Sequence, residues 1–379
     1  MSRRQRRFSR SGRLVVALLA CAAIHGADLA VLEAGSTAQL TALGNEALMQ
    51  GRYETAIDLY KRALGADKGY FSALYNLALA HQQLGQYPEA KRWYGEALRV
   101  KADHPEVYCN LGYLAFRAGE WAAASDRFLE AARLSASNPT DAADYWYNAG
   151  TAREKLGQFA EAQRAYEEAL ALNDRHFGAH FNLGTLLLGP LAERADSLEH
   201  AAANLQKAVK IAPNRPEGWL NQAICLERLG QNPLPAYAEA IKVATGPGLN
   251  RARWQRALFH NRCQPPRRLA VRDDLKAILA DDPDFAEANG LLGTYYFAIG
   301  EYDQALVHLG REVAGANFYA NSSTDLEAHY LLALIYTDHR PDPAKALAHA
   351  TAYYQQRPDS QKIHELRRRA LRLTTKDAK

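Results

Sequence analysis

The sequence predicts an all-α fold built from repeated helix–turn–helix units, and two observations support this prediction. A small residue recurs at intervals of 34, 34, 38, 34, 39, 70 and 40 residues, at Gly44, Ala78, Gly112, Gly150, Gly184, Ala223, Gly293 and Ala333. In the first four repeats, two alanines follow that residue after 12 and 19 positions, as Ala90 and Ala97 follow Ala78. Small residues at these spacings let two helices approach closely, so each repeat is expected to be an antiparallel helix pair.

The repeat that begins at Phe71 shows the full pattern of large and small residues. It contains Leu74, Leu77, Ala78 and His81, followed by Gly85, Tyr87, Ala90, Tyr94, Ala97 and Leu98. This pattern resembles that of tetratricopeptide repeat (TPR) proteins, and the resemblance covers about nine tenths of the chain. It implies a right-handed TPR solenoid of about nine helix–turn–helix repeats with a C-terminal capping helix.

The repeats differ in quality along the chain. TPR units one to six are assigned to 37–246, a degenerate TPR-like unit to 247–284, units eight and nine to 285–358, and a basic capping helix and tail to 359–379. The intervals of 38 and 39 residues place additions at 139–142, between units three and four, and at 189–199, inside unit five. Such additions are expected in loops, where stacked repeats tolerate them.

The amino-terminal segment predicts export. Residues 1–13 contain six arginines and no acidic residue, and residues 14–24 form an unbroken apolar run. A basic stretch followed by a short apolar run is typical of a secretory signal peptide, which we place at 1–27. The run is shorter than the roughly 20 residues needed to span a bilayer, so a permanent membrane span is not expected. An organelle-targeting presequence is the alternative.

Residues 18–21, Leu-Leu-Ala-Cys, resemble the lipobox of bacterial lipoproteins. The resemblance implies lipidation of Cys21 and a periplasmic or outer-membrane-anchored protein, with the lipid as its membrane attachment. Cleavage near Ala23 or Ala27 without lipidation is the alternative. Loss of this segment leaves 40 basic against 42 acidic residues and one basic cluster, in the last predicted helix. Binding to nucleic acid is therefore not expected.

The sharpest functional signal is an asparagine at the sixth position of the first helix in five successive units. These residues are Asn76, Asn110, Asn148, Asn182 and Asn221. The row resembles the asparagine ladder of the O-linked N-acetylglucosamine transferase superhelix, which implies contacts with the backbone of an extended peptide. An asparagine amide can bind the N–H and the C=O of a peptide unit together. The alternative is structural, with each amide bonded to a neighbouring helix.

Two further rows flank the asparagines. The preceding position carries the aromatic residues Tyr75, Tyr147 and Phe181, which are expected to line the same groove with or without a ligand. The second helical position carries Glu106, Asp144 and Glu217. An acidic groove edge of this kind would favour a basic or neutral extended segment.

No catalytic residues are predicted, because the sequence lacks GxSxG, Walker, HExxH and dinucleotide-binding motifs. His176 and His180 have a metal-like spacing but fall at the junction of two units, so no metal or other cofactor is expected. We expect a non-catalytic scaffold of the cell envelope, which binds extended segments of other proteins to support assembly or secretion. The alternative is a regulatory or targeting subunit of a glycosyltransferase or polysaccharide export complex. The oligomeric state stays open.

Overall fold

The computed structural model describes residues 35–135, 137–193, 196–315 and 323–376. The predicted signal segment 1–27 and Cys21 lie outside these residues. The described parts of the chain form nineteen α-helices and contain no β-strand. Successive helices pack as nine pairs followed by a single last helix, which confirms the predicted all-α repeat fold.

The chain divides into two compact units, the first ending at Ile211 and the second beginning at Ala212. Five helix pairs belong to the first unit: α1 (Thr37–Met49) with α2 (Tyr53–Ala66), α3 (Phe71–Gln83) with α4 (Tyr87–Val100), α5 (Pro105–Arg117) with α6 (Trp121–Leu134), α7 (Pro139–Lys155) with α8 (Phe159–Leu172), and α9 (Phe177–Leu188) with α10 (Ser197–Ile211).

Four pairs and the last helix belong to the second unit. They are α11 (Pro216–Arg228) with α12 (Leu234–Val243), α13 (Pro247–Arg262) with α14 (Arg268–Asp281), α15 (Ala286–Ala298) with α16 (Tyr302–Gly315), α17 (Ser323–Leu334) with α18 (Pro343–Gln356), and α19 (Gln361–Lys376). A π-helical turn, Ile335–His339, directly follows α17. The degenerate repeat thus forms the pair α13 and α14.

Glycine reverses the chain inside most helix pairs. Gly85, between α3 and α4, has a φ of +75°, in the left-handed region that a side chain with a Cβ disfavours. The same conformation recurs at Gly51, Gly119, Gly157, Gly230 and Gly300. These turns hold the two helices of a pair antiparallel.

Four of the recurring glycines pack against a large side chain sixteen positions later, on the second helix of the same pair, and Gly184 packs against Leu205, twenty-one positions later. Gly44 lies against the ring of Tyr60, and Gly112 lies against the ring of Phe128. Tyr60, Tyr94, Tyr166 and Tyr237 are fully buried at the second helices. The core of these repeats therefore forms where a missing or short side chain makes room for a large apolar side chain, an aromatic ring at Gly44 and Gly112 and a leucine at Gly293.

The four residues added between units three and four are helical, so the expected loop was wrong there. Residues 139–142 form the first turn of α7, which has 17 residues where α3 and α5 have 13. The side chain of Asn138 accepts a hydrogen bond from the Asp141 N–H, and Pro139 fits the first turn because that turn needs no N–H. Residues 189–193 and Asp196 of the second addition lie in the connection between α9 and α10.

Within the described ranges, none of the helices combines the length and the apolar character needed to cross a membrane.

Candidate functional site

A cavity of about 540 Å³ lies on the first helices of three successive repeats, α3, α5 and α7. It is lined by four of the residues that the sequence predicts as site residues: Tyr75, Asn110, Tyr147 and Asn148. Leu79, Phe116 and Phe128 add an apolar lining. The structure thus gathers half of the eight predicted peptide-binding residues around one opening.

Two rows of the sequence meet through a repeated hydrogen bond. The Asn110 Nδ2 donates to the Tyr75 hydroxyl at 3.2 Å. In the same way, the Asn182 Nδ2 donates to the Tyr147 hydroxyl at 3.5 Å and to the Tyr166 hydroxyl at 3.3 Å. The asparagine of one repeat is therefore tied to the tyrosine one position earlier in the preceding repeat. Asn110 keeps its carbonyl oxygen and a second N–H for other contacts.

The hydrogen bond from the asparagine of one repeat to the tyrosine of the preceding repeat is missing at Asn148. The residue that corresponds to Tyr75 and Tyr147 in the intervening repeat is Cys109, which has no hydroxyl to accept the bond. Among the described residues, Asn148 has no side-chain hydrogen bond, although its partly buried side chain lines the cavity. Its amide oxygen and both N–H groups are therefore available to a ligand.

Asn76 has a different environment from that of Asn148. Its Nδ2 donates to the Asn45 Oδ1 at 2.7 Å, and the same oxygen accepts a bond from the Tyr60 hydroxyl at 2.8 Å. This network joins the first two repeats, and Asn76 does not line the cavity.

The other predicted site residues also lie away from the cavity. Phe181 stacks on Phe177, with ring centroids 5.7 Å apart and planes inclined by 10°. Asn182 is engaged with the two tyrosines described above, and Asn221 lies on α11 in the second compact unit. Contact between these residues and a ligand stays a prediction.

Two of the three predicted acidic residues line the cavity. The Glu106 carboxylate lies 2.8 Å from the Nδ1 of His104, and this contact keeps the pKa of Glu106 below its ordinary value. The Asp144 carboxylate lies 3.1 Å from the Nε2 of His176, whose ring packs on Tyr147 with centroids 4.8 Å apart. In the second compact unit, Glu217 forms an ion pair with Arg215 at 2.7 Å.

A third carboxylate of the cavity, Asp141, is missing from the sequence-based prediction. Two features of the sequence could have identified Asp141: the 38-residue interval, and the helix-starting residues Asn138 and Pro139. Together they place the added residues in the first turn of α7. Burial raises the pKa of Asp141, and the nearby Asp144 and Glu106 carboxylates raise it further. Such an increase indicates that the three groups repel one another across the cavity.

Cys109 faces the same carboxylates. Burial raises the pKa of its thiol to about 12, with further contributions from Asp144, Glu106 and Asp141. A thiol with this pKa stays protonated at neutral pH, so Cys109 is not a reactive nucleophile.

His176 and His180 serve separate local structures. The Nδ1 of His176 accepts the Ala179 N–H at 2.9 Å at the start of α9. The ring of His180 is buried and lies 2.8 Å from the Asn204 Oδ1 and 3.0 Å from the Asp174 carbonyl oxygen. In the portion of the chain that the structure describes, no group of three or more His, Cys, Asp and Glu side chains could hold a metal ion.

Comparisons with known proteins agree with the repeat architecture. One tetratricopeptide repeat model matches residues 47–108, and another of the same description matches residues 143–176. The chain is 31% identical to Tetratricopeptide repeat protein 8 of Caenorhabditis elegans over 138 residues. This aligned segment covers 36% of this chain and 26% of that protein. It is 26% identical to the Cell division cycle protein 16 homolog of Mus musculus over 173 residues, a segment that covers 44% of this chain and 28% of that protein.

The chain thus spans about a quarter of the length of these two curated relatives. Among solved structures, Pseudomonas aeruginosa pilF superimposes with a TM-score of 0.48 and 17% identity. The superposition covers 58% of this chain and 97% of that one.

Proposed function

We propose that this chain, a tetratricopeptide repeat protein, acts as a non-catalytic scaffold that binds an extended segment of another protein. Repeats of this family mediate contacts between proteins. The observation that carries the proposal is the cavity on α3, α5 and α7. It combines an apolar, aromatic lining with a few polar groups, which is the composition expected of a binding site.

An extended segment fits this arrangement better than a folded surface does. Three neighbouring helices at a spacing of roughly 8 to 10 Å present a face about 20 Å across. An extended chain that advances about 3.3 Å per residue crosses that distance with about six residues. Such a segment exposes backbone N–H and C=O groups at each step, and the amides of Asn110 and Asn148 are suited to bind them.

We place this activity in the cell envelope, after export. Support for the location comes from the basic and apolar segments in residues 1–24 and from the lipobox-like residues 18–21. Intact mass and membrane fractionation of the expressed protein, with and without Cys21→Ala, test it. A lipid-sized mass increase that depends on Cys21 supports anchoring, and an uncleaved chain in the cytosol contradicts export.

The binding proposal is tested with a display library of random twelve-residue peptides selected on the full chain. The affinity of the enriched peptides for the wild type is then compared with that for the double variant Asn110→Ala, Asn148→Ala. We expect the double variant to lose at least tenfold in affinity, because it removes two amides from one side of the bound backbone. Circular dichroism of the variant controls for folding. Enriched peptides that bind both proteins equally would contradict a site at the cavity.

A further inference from the structure

The charge of the cavity indicates what kind of segment it accepts. Glu106, Asp141 and Asp144 all line it, and none of its described lining residues is lysine or arginine. His104 and His176 contact Glu106 and Asp144 at the edge, and Lys101 acts on Glu106 from outside the lining. Asp141 is bonded to the neutral amide of Asn138, whose Nδ2 donates to it at 2.7 Å. Two of the three carboxylates thus contact a histidine and the third contacts a neutral amide, and no lysine or arginine belongs to the lining around them.

Bringing these three carboxylates together has a cost that a bound cation would relieve. Burial and the neighbouring Asp144 and Glu106 raise the pKa of Asp141, and the same carboxylates help to raise the pKa of the Cys109 thiol to about 12. Burial contributes most to both shifts, and the carboxylates add a further increase in pKa, as expected where negative charges lie close together. A positive group placed there lowers the free energy of all three carboxylates.

The aromatic lining favours an organic cation on a flexible apolar stem. Tyr75, Tyr147 and Phe116 line the cavity beside the acidic residues. A lysine or arginine side chain can pack its methylene groups on such rings while its charged end reaches the carboxylates. A metal ion fits less well, because the described carboxylates, histidines and cysteines form no group that could hold one.

Asn148 supplies the contact to the backbone beside that side chain. It lies on α7 with Asp141 and Asp144, and it lines the same cavity as Cys109, which stands where the neighbouring repeats have tyrosine. Because Cys109 offers no hydroxyl, the Asn148 amide has no hydrogen bond within the described chain, whereas the amides of Asn110 and Asn182 do. Two successive repeats are thus modified at the same place: the first lacks the tyrosine, at Cys109, and the next carries the added turn with Asp141.

We propose that this cavity recognises an extended segment at a lysine or arginine, whose side chain lies among Glu106, Asp141 and Asp144 while its backbone binds the Asn148 amide. The inference rests on the proposed function, because it names the chemistry of the segment that the scaffold binds.

The test uses the peptides enriched from the random twelve-residue library on the full chain. We expect them to share a lysine or arginine, and we expect replacement of that residue by norleucine to weaken binding at least tenfold. Norleucine keeps the apolar stem of lysine and removes its charge, so the comparison isolates the contact with the carboxylates. A second measurement replaces the acids with isosteric amides in the triple variant Glu106→Gln, Asp141→Asn, Asp144→Asn. This variant should bind the lysine and norleucine peptides with nearly equal affinity.

The outcomes separate this inference from the proposed function. Peptides that need Asn110 and Asn148 but tolerate norleucine would overturn the basic anchor and leave the scaffold proposal in place. If none of the enriched peptides depends on Asn110 and Asn148, both the basic anchor and the scaffold proposal are overturned. If the triple variant does not fold, the norleucine comparison on the wild-type chain still decides, because it changes the peptide alone.

Discussion

Gly150 on α7 lies directly against the ring of Tyr166 on α8: a Cβ added at Gly150 would stand 2.6 Å from the Tyr166 Cε1. Tyr166 is fully buried and cannot move aside without opening the core. We expect Gly150→Ala to lower the free energy of unfolding by about 1 to 3 kcal/mol through overpacking, measured by urea unfolding.

Gly95 on α4 offers the matched control. It is also helical, but a Cβ there would meet nothing within 4 Å. We expect Gly95→Ala to be neutral or to stabilise the protein by up to about 1 kcal/mol, because alanine favours the helix. Equal effects at the two glycines would contradict the packing argument.

Removing one partner of the ion pair between Arg256 and Asp274 should destabilise the second compact unit strongly. The Arg256 guanidinium binds both carboxylate oxygens of Asp274, at 2.5 and 3.0 Å, and Asp274 is 5% exposed. Arg256→Met leaves a buried carboxylate without its partner, so we expect a loss of about 3 to 5 kcal/mol in the free energy of unfolding.

Two further variants test this explanation. Adding Asp274→Leu to Arg256→Met should recover most of the loss, because it removes the unpaired charge. Lys242→Met breaks a surface contact with Glu239 and should leave the unfolding midpoint unchanged within error. A loss in the double variant as large as in Arg256→Met would show that packing, and not the ion pair, matters at this place.

Asn76 and Asn148 should behave in opposite ways when replaced by alanine. Asn76→Ala removes the bond to Asn45, which also accepts the Tyr60 hydroxyl, and we expect a loss of about 1 kcal/mol in stability with unchanged affinity for cavity-binding peptides. Asn148→Ala removes no bond within the described chain, so its stability should stay within about 0.5 kcal/mol of the wild type. Its affinity for the selected peptides should fall.

The stability of the second compact unit should decrease in mild acid because of His349. Burial, the neighbouring His329 and Lys345 lower the pKa of His349 to about 4. An unfolded histidine titrates near 6.5, so the unfolded chain binds more protons than the folded chain between about pH 6.5 and 4. The contribution of His349 is therefore complete above about pH 6.5 and is lost progressively as the pH falls towards 4.

Urea unfolding at pH 7.5, 6.0, 5.0 and 4.5 measures this effect. The slope from His349 should lie below the roughly 1.4 kcal/mol per pH unit of a fully protected group, because its ring is partly exposed. His349→Gln should reduce the pH dependence without abolishing it, since burial also lowers the pKa of His260 and His308. An unchanged pH dependence in His349→Gln would contradict the assignment.

Much of the repeat architecture was predictable because its signals are local. Gly112 and Phe128 lie sixteen positions apart in one helix pair, and the segment between them contains the turn of that pair, so their spacing in the chain predicts their contact. The loop expected at 139–142 was wrong because local capping by Asn138 and Pro139 favours a helix, and a spacing argument does not weigh that preference.

The repeat fold follows from the sequence alone, and so does the recurrence of asparagine, tyrosine and acidic residues at fixed positions of the first helices. Packing between repeats decides which of these side chains are already engaged, because each partner comes from another repeat, 31 or 35 residues away in the chain. It ties Asn110 to Tyr75 and Asn76 to Asn45, and it adds Asp141 to the cavity. It leaves Asn148 facing that cavity beside Cys109, since the missing tyrosine matters only where two repeats pack together.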